Sequence, residues 1–329
     1  MTSPRVSICV PTFRGAAWLA ACLDTATAQT ERDLEIVVCD DASDDDTVAI
    51  ARRIAAQDAR VRVIANEKRA GLAGNWNRTI AAARGEWIKL LCQDDTLAPT
   101  CVERMVAAAA GTQGLVICDR NVEMEPGTSE ATRRWFQDLP AMDTLFGEVE
   151  RVPANAVQKA LADRPGINFF GEPTASLVHR EALRRYGTFH AHMIQLCDLE
   201  LWARIASNEG LARVRDRLAT YRIHAASTSA ANAESRAFRR DVLDTLVLYH
   251  EYAFGESFTA LRAAAAARKP PVDFASLAAR ELRRARREAR NAADPSLRGE
   301  LANVVAAHPR LGRPLWQLWH RARDHWKST

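Results

Sequence analysis

Short apolar runs alternate with longer amphipathic stretches over the first third of the chain. Val6–Val10, Leu34–Cys39, Val61–Ala65, Trp87–Cys92 and Leu115–Cys118 are nearly continuous in apolar residues, the pattern of strands buried on both faces. Between them, 16–28, 47–57, 76–84 and 100–110 carry apolar residues at helical spacing, with Trp18, Leu19, Cys22 and Leu23 on one stripe. Ser43 before Asp44-Asp45-Asp46 predicts a capped helix start, because a hydroxyl and acids satisfy the free N–H groups of a first turn. Pro99 predicts another helix start, and Gly85 a helix end. Strand and helix alternating in this way predict βαβ units, hence an α/β fold with a mostly parallel central sheet and helices on both faces.

Beyond residue 118 the pattern weakens. Residues 119–170 read as an irregular excursion with one helix near 153–162. A return strand follows at Glu172–His179, then helices at Arg180–Tyr186 and Asp198–Ala206, then strands at Ala212–Asp216 and Leu218–His224. From Ser235 the composition is helical, broken at Lys269-Pro270-Pro271, Asp294-Pro295 and His308-Pro309. The expected division is a ligand-binding half at 1–118, a second half of the same domain at 119–229, and a helical, basic extension at 230–329.

Composition adds bounds. In 329 residues, 47% hydrophobic and 26% charged usage supports a large core. No apolar run reaches the length of a membrane-spanning helix, and the first residues lack a secretory signal pattern. Seven cysteines, odd in number and set mostly in apolar runs, predict a reducing, cytoplasmic setting. The net charge is +4, but residues 270–329 hold twelve Lys/Arg against six Asp/Glu, which leaves −2 on the rest. A near-neutral body argues against nucleic acid as its partner. The basic, Trp-bearing segment 313–327 suits peripheral contact with the inner face of a membrane; the plainer reading is docking on the body or on a second copy.

The chemistry gathers at strand ends. Asp40-Asp41 and Asp94-Asp95 each follow a buried strand, and in parallel sheets ligands bind at those carboxyl ends. Adjacent carboxylates repel unless a cation joins them, and a hard divalent ion bridging to a diphosphate fits. The plainer reading of both pairs is solvated acids before a helix. Neither GxGxxG nor GxxxxGK[ST] is present, which disfavours a nicotinamide dehydrogenase and a P-loop nucleotidase. Asp198 and Glu200 stand two apart on one helix, so one can face a cleft as a general base while the other does not. Arg222 and His224 end a strand where they can hold phosphate oxygens, and His224 can reach a metal. Glu172 opens a strand that can face an acceptor cleft.

In order along the chain, these residues resemble the family-2 inverting glycosyltransferases of the GT-A fold. Val6–Arg14 is similar to that family's VSIIIPTYN start, and Glu35–Thr47 to its EIIVVDDGSTDGT segment. Asn66–Asn77 and Ala83–Ile88 resemble its N-x-G and A-x-GEYI stretch, and Leu91–Asp95 sits at its DxD-type motif. Asp198–Arg204 resembles its EDxDLWLRL helix, and Tyr221–His224 its YRxH strand. The resemblance covers about residues 5–229. It implies a metal-dependent, hexosyltransferase-like enzyme that uses a nucleoside-diphosphate sugar, UDP-sugar favoured, in glycan or polysaccharide biosynthesis. The acceptor would be a glycan, a lipid-linked sugar or a small molecule. Pro11, Thr12, Phe13, Asp41, Asn77 and Asp94 would then bind the nucleotide, and Asp94 and Asp95 would hold Mg²⁺ or Mn²⁺. Arg222 and His224 would contact phosphates, and Asp198 would be the base, with Glu200 the alternative. Two positions depart from the pattern: Cys92 replaces the first acid of the DxD motif, and Cys197 the acid before the base. A nucleotidyltransferase on a similar sheet, or a non-catalytic sugar-nucleotide binder, are the rival expectations.

Overall fold

The first four long strands lie side by side, as their apolar runs require. β1 (Val6–Thr12), β2 (Leu34–Asp40), β3 (Val61–Ala65) and β4 (Trp87–Leu90) pair in parallel in the order β3-β2-β1-β4. The connections carry α1 (Leu19–Thr27), α2 (Thr47–Ala55) and α3 (Leu72–Ala82). A computed structural model of the chain describes residues 3–312, apart from 113, 131–132, 135, 137–139, 225–226, 228 and 230–235. The basic segment 313–327 therefore lies outside the described residues.

Past β4 the sheet becomes mixed. It continues as β4-β8-β6-β9-β5, with β5 (Thr96–Leu97), β6 (Leu115–Met124), β8 (Ser176–His179) and β9 (Leu211–Ile223). β8 runs antiparallel to both β4 and β6, while β6 and β9 are parallel. β5 and the two-residue β7 (Arg151–Val152) pair antiparallel with β9. This arrangement sets the site. Because β8 opposes β4, the segment entering β8 lies beside the residues leaving β4. β6 and β9 run the same way as β4, so the end of β9 reaches the same sheet edge.

Two hydrophobic layers cover the sheet. One face carries Leu19, Leu23, Val102 and Met105 from α1 and α4 (Cys101–Ala108). The other carries α3, α6 (Ala154–Asp163) and α8 (Cys197–Glu209), centred on the fully buried Trp202. The short α5 (Met142–Phe146) lies before β7, and α7 (Arg180–Tyr186) follows β8. The later helices are α9 (Asp244–Phe254), α10 (Thr259–Ala266), α11 (Phe274–Asn291) and α12 (Ser296–Ala307). Leu246, Tyr252, Phe274, Leu282 and Val304 bury into that second layer, so these helices share the core of the sheet domain.

Several local expectations change. Ser43 does not cap α2: Asp46 precedes the helix, and the Ser43 hydroxyl donates to Asp40 instead. α3 starts at Leu72 and ends at Ala82, so Gly85 is not its cap. Gly85 is required by space, since a Cβ there would meet Ser7 N at 2.5 Å and Val6 C at 2.6 Å on β1. Glu172 does not begin a strand, because one 3₁₀ turn at Pro173–Ala175 comes first. The two strands expected at 212–224 are one, with register shifts opposite Asp119.

Two glycine substitutions test this packing with opposite signs. Gly85→Ala should cost about 1–3 kcal/mol, because backbone rather than a flexible side chain must move. Gly299→Ala lies in exposed α12 with nothing within 4 Å of the new methyl, and should gain about 0.5–1 kcal/mol. Urea midpoints measure both; a neutral Gly85→Ala would refute the close approach to β1.

Candidate active site

The ends of β1 and β2 form the first wall. Thr12 Oγ1 donates to Asp40 Oδ1 at 3.0 Å, and the Ser43 N–H donates to Asp40 Oδ2 at 2.8 Å. Asp40 thereby ties the two strand ends together from within the protein. Asp41 is also buried, and its carboxylate receives the N–H groups of Ala70 (2.6 Å) and Gly71 (3.0 Å) and the amide of Asn66 (3.2 Å). It thus pins the loop 69–71. Pro11 is buried on β1, paired with Cys39. Phe13 is half-buried, with the Arg69 guanidinium 3.7 Å above its ring. Gln93 holds Phe13 from both sides, its Oε1 accepting the Phe13 N–H at 2.9 Å and its Nε2 donating to Phe13 O at 3.0 Å. Arg14 and Ala42, one on each loop, hold φ of 50° and 59°, a conformation non-glycine residues adopt only under constraint.

The residues leaving β4 form the acidic centre. Ligand atoms of Cys92, Asp94 and Asp95 all lie within 4.8 Å of one another. Two like charges at that distance repel by roughly 3–4 kcal/mol at an effective dielectric constant near 20. Burial and then the Asp94 charge push the Asp95 carboxyl well above the usual range. Asp95 is braced from two elements: the Thr174 hydroxyl donates to Oδ2, and the Arg222 backbone N–H donates to Oδ1 at 2.9 Å. The buried Lys89 amine donates to Thr174 O, fixing the segment that holds that hydroxyl. Asp94 faces His224, with Oδ2 3.0 Å from Nε2. The His224 ring stacks on Trp18 at 3.8 Å, and its buried Nδ1 has no partner among the described residues. Two carboxylates, a thiol and an imidazole so arranged fit a divalent cation, which would relieve the repulsion that raises Asp95.

The third wall is the start of α8. Asp198 is half-buried, with Oδ1 accepting the Leu199 N–H at 2.7 Å and Oδ2 the Asn168 amide at 3.0 Å. Burial is the main cause that pushes its carboxyl up to about 7, with the nearby Glu172 charge acting the same way. Glu172 also raises Asp95 and Tyr221, so its charge is felt both at the acidic centre and at Asp198. Its own charge is paired with Arg120.

Of the residues expected from sequence, Thr12, Phe13, Asp41, Asp94, Asp95, Arg222, His224, Glu172 and Asp198 gather along this edge. Two others are placed elsewhere. Asn77 uses both ends of its amide on the Phe189 backbone, donating to O at 2.8 Å and accepting from N at 2.9 Å, so it clamps α3 to that loop rather than meeting a nucleotide. Glu200 is buried in the helix layer, paired with Arg204 one turn on at 2.6 Å, and does not face an acceptor. Asp95 keeps its place in the acidic centre but is more tied than expected, each of its oxygens accepting one protein donor, while Asp94 is the more open carboxylate. Gln93, Thr174, Asn168 and Trp18 were missed by sequence reasoning. Of these only Trp18 carried a signal, as an aromatic at the head of a helix facing the strand ends.

Comparison with known proteins agrees with this geometry. The model of "Glycosyl transferase family 2" matches residues 7–187. Protein MT1568 of Mycobacterium tuberculosis (strain CDC 1551 / Oshkosh) is 30% identical over 245 residues, 73% of each chain. The succinoglycan biosynthesis protein ExoO of Rhizobium meliloti (strain 1021) is 40% identical over 112 residues, 33% of this chain and only 32% of ExoO. Among solved structures, S. aureus TarS 1–349 in complex with UDP-GlcNAc superposes with a TM-score of 0.58 at 14% identity, covering 93% of this chain and 81% of TarS. Mannosyltransferase PcManGT from Pyrobaculum calidifontis, in complex with GDP-Man and Mn²⁺, gives 0.57 at 21% identity, covering 97% and 84%. At such identities the likeness establishes the fold, that of the GT-A glycosyltransferases.

The environment of Asp198 makes a stability prediction. A folded-state pKa near 7, against 3.8 for the free group, means the folded chain holds a proton that the unfolded chain has lost between those values. This residue therefore lowers stability as pH rises from about 4 to 7. Asp198→Asn should be more stable than the parent at pH 8 and should lose that part of the pH dependence. Urea unfolding at pH 5 and pH 8 measures it; a less stable variant at pH 8 would contradict the assigned environment.

Proposed function

The chain belongs to glycosyl transferase family 2, and we propose that it moves a sugar from a nucleoside-diphosphate donor to an acceptor hydroxyl with inversion at the anomeric carbon. The observation that carries this reading is a pair of groups that feel one neighbouring charge: a cation-fitting acidic centre and a carboxylate with pKa near 7, both raised by Glu172.

Asp198 is the proposed general base. A pKa of about 7 keeps a sizeable fraction ionised at neutral pH while making the group basic enough to take a hydroxyl proton. Asn168 and the Leu199 N–H hold the carboxylate in one orientation. Asp94, with Nε2 of His224 and the Cys92 thiol beside it, would hold Mg²⁺ or Mn²⁺, whose charge offsets that developing on the departing nucleoside diphosphate. Arg222 leaves the same strand end and is suited to a phosphate oxygen, while its N–H keeps Asp95 in place. Phe13 and Arg69, packed face to cation, are the proposed platform for the base of the nucleotide. With the donor held against the acidic centre, a hydroxyl activated at Asp198 attacks the sugar from the face opposite the leaving group, which inverts the centre.

The donor class is supported by two structural neighbours that bind UDP-GlcNAc and GDP-Man. A role in polysaccharide biosynthesis is supported by ExoO and by the chondroitin synthase of Escherichia coli, which is 38% identical over 100 residues. Among the described residues no helix is long and apolar enough to cross a membrane. Peripheral membrane contact through 313–327 is proposed on its sequence alone.

Two measurements test the reading. Calorimetric titration with UDP, GDP, dTDP and CDP, each with Mn²⁺ and with EDTA, should give tight binding of one of them only with the metal. Asp94→Asn should abolish that metal dependence, and no binding of any diphosphate would overturn the proposal. Asp198→Asn should lower transfer by about 10²–10⁴-fold while leaving donor binding near that of the parent. In the parent, kcat/KM should rise with pH through about 7 as Asp198 ionises. Full activity in Asp198→Asn would remove it as the base.

A further inference from the structure

Away from the cleft, four imidazoles and a carboxylate meet where three segments of the chain converge. His190 and His192 come from the loop before α8, His250 and Glu251 from α9, and His308 from the end of α12. Ligand atoms of His190, Glu251 and His308 lie within 4.8 Å of one another, with His308 Nε2 3.9 Å from Glu251 Oε1. The rings of His190 and His308 are nearly parallel, 5.4 Å apart.

The surroundings are arranged as they are around a metal. His308 Nδ1 sits 2.7 Å from Val304 O, which places its proton there and leaves the Nε2 lone pair open. Glu251 Oε1 lies 2.8 Å from His250 Nδ1, so the carboxylate is itself oriented by a neighbour. His250 is buried, its ring is 4.8 Å from that of His308, and its Nε2 has no hydrogen-bond partner among the described residues. His190 Nδ1 receives only a long contact, 3.3 Å, from the His192 N–H. The nearby Arg204 charge is matched by Glu200.

From this cluster we infer a second metal site, in which His190, Glu251 and His308 bind one zinc-class divalent ion. Imidazole nitrogens with a single carboxylate suit such an ion, whereas Mg²⁺ prefers oxygen ligands. Bonds of about 2.0–2.1 Å put tetrahedral ligand atoms roughly 3.3–3.5 Å apart, so the cluster must draw in by about an ångström. The irregular loop carrying His190 is the part best able to move. The ion staples that loop, whose His190 lies eight residues before Asp198, to α9 and to the end of α12. This site is independent of the glycosyl-transfer reading.

The test uses the full chain after treatment with chelator. Calorimetric titration with Zn²⁺ should show a tight equivalent in the parent that is retained in Asp94→Asn, which removes the open carboxylate of the acidic centre and with it any zinc taken there. His308→Gln and His190→Gln should each weaken binding at least about tenfold. His190 is half-buried, so its variant keeps the test valid if His308→Gln misfolds. Co²⁺ in place of Zn²⁺ should give the strong visible bands of a tetrahedral site in the parent and not in either variant. Zn²⁺ should raise the melting temperature of the parent and not that of His190→Gln. Loss of the tight equivalent in Asp94→Asn, or its survival in both histidine variants, would overturn the inference, as would no binding to the parent.

Discussion

Two adjacent carboxylates at the end of a buried strand must be kept together although they repel, and the structure around the cleft is arranged to do so. Asp95 is the one the protein secures, through Thr174 and the Arg222 N–H, so that Asp94 stays open beside His224. The sheet topology makes that possible. β8 opposes β4, so Pro173–Ala175 lies against the residues leaving β4 and delivers the Thr174 hydroxyl. β5 pairs with Ala219 and Thr220 of β9, which draws residue 95 to the strand that supplies Arg222 and His224. Lys89 sits fully buried in the middle of β4 with its amine on the carbonyls of Leu90, Thr174 and Ser176. A buried ammonium is tolerable only with such partners, and here they are the segment that braces Asp95.

The parallel strands were legible because both their faces are covered, which leaves an apolar run that no surface strand would show. The rule that ligands meet the carboxyl ends of parallel strands then singles out the acid pairs Asp40-Asp41 and Asp94-Asp95. What stayed hidden has a common physical form. Gln93, Thr174 and Asn168 act through hydroxyl or amide groups on partners 80, 79 and 30 residues away. Such bonds leave no periodic trace. Asn75 and Asn77 illustrate the difficulty within one helix. Asn75 is buried and ties Thr12 O to Cys39 O across the strand ends, while Asn77 binds the Phe189 backbone. Their letters are the same, and only the direction of the side chain separates their roles.

Helical geometry also decided between Asp198 and Glu200. Two residues apart is about 200° around a helix, so one carboxylate at the cleft sends the other into the core. The core carboxylate needs a partner at once, and Arg204 provides it one turn later while donating to Thr188 O. Glu200 is thus a structural ion pair. Its neighbour, with amide donors and no cation, keeps the raised pKa that a base requires.

The position of Asp198, the proposed base, depends on a part of the chain that the family pattern does not include. The family match ends at residue 187, before Asp198, and the helices from Asp244 onward lie further still. Yet the Asp244 carboxylate, the first residue of α9, receives the N–H groups of Ile194, Gln195 and Leu196, the residues that open α8. It serves the free donors of a helix start from a different helix, and Asp198 is the second residue of the helix so fixed. Tyr252, Phe274 and Leu282 lie in the same apolar layer as Trp202 of α8. The C-terminal helices therefore act on the site by holding the helix that carries the proposed base, and a shift of their packing would be felt at Asp198 before it was felt at the acidic centre that follows β4.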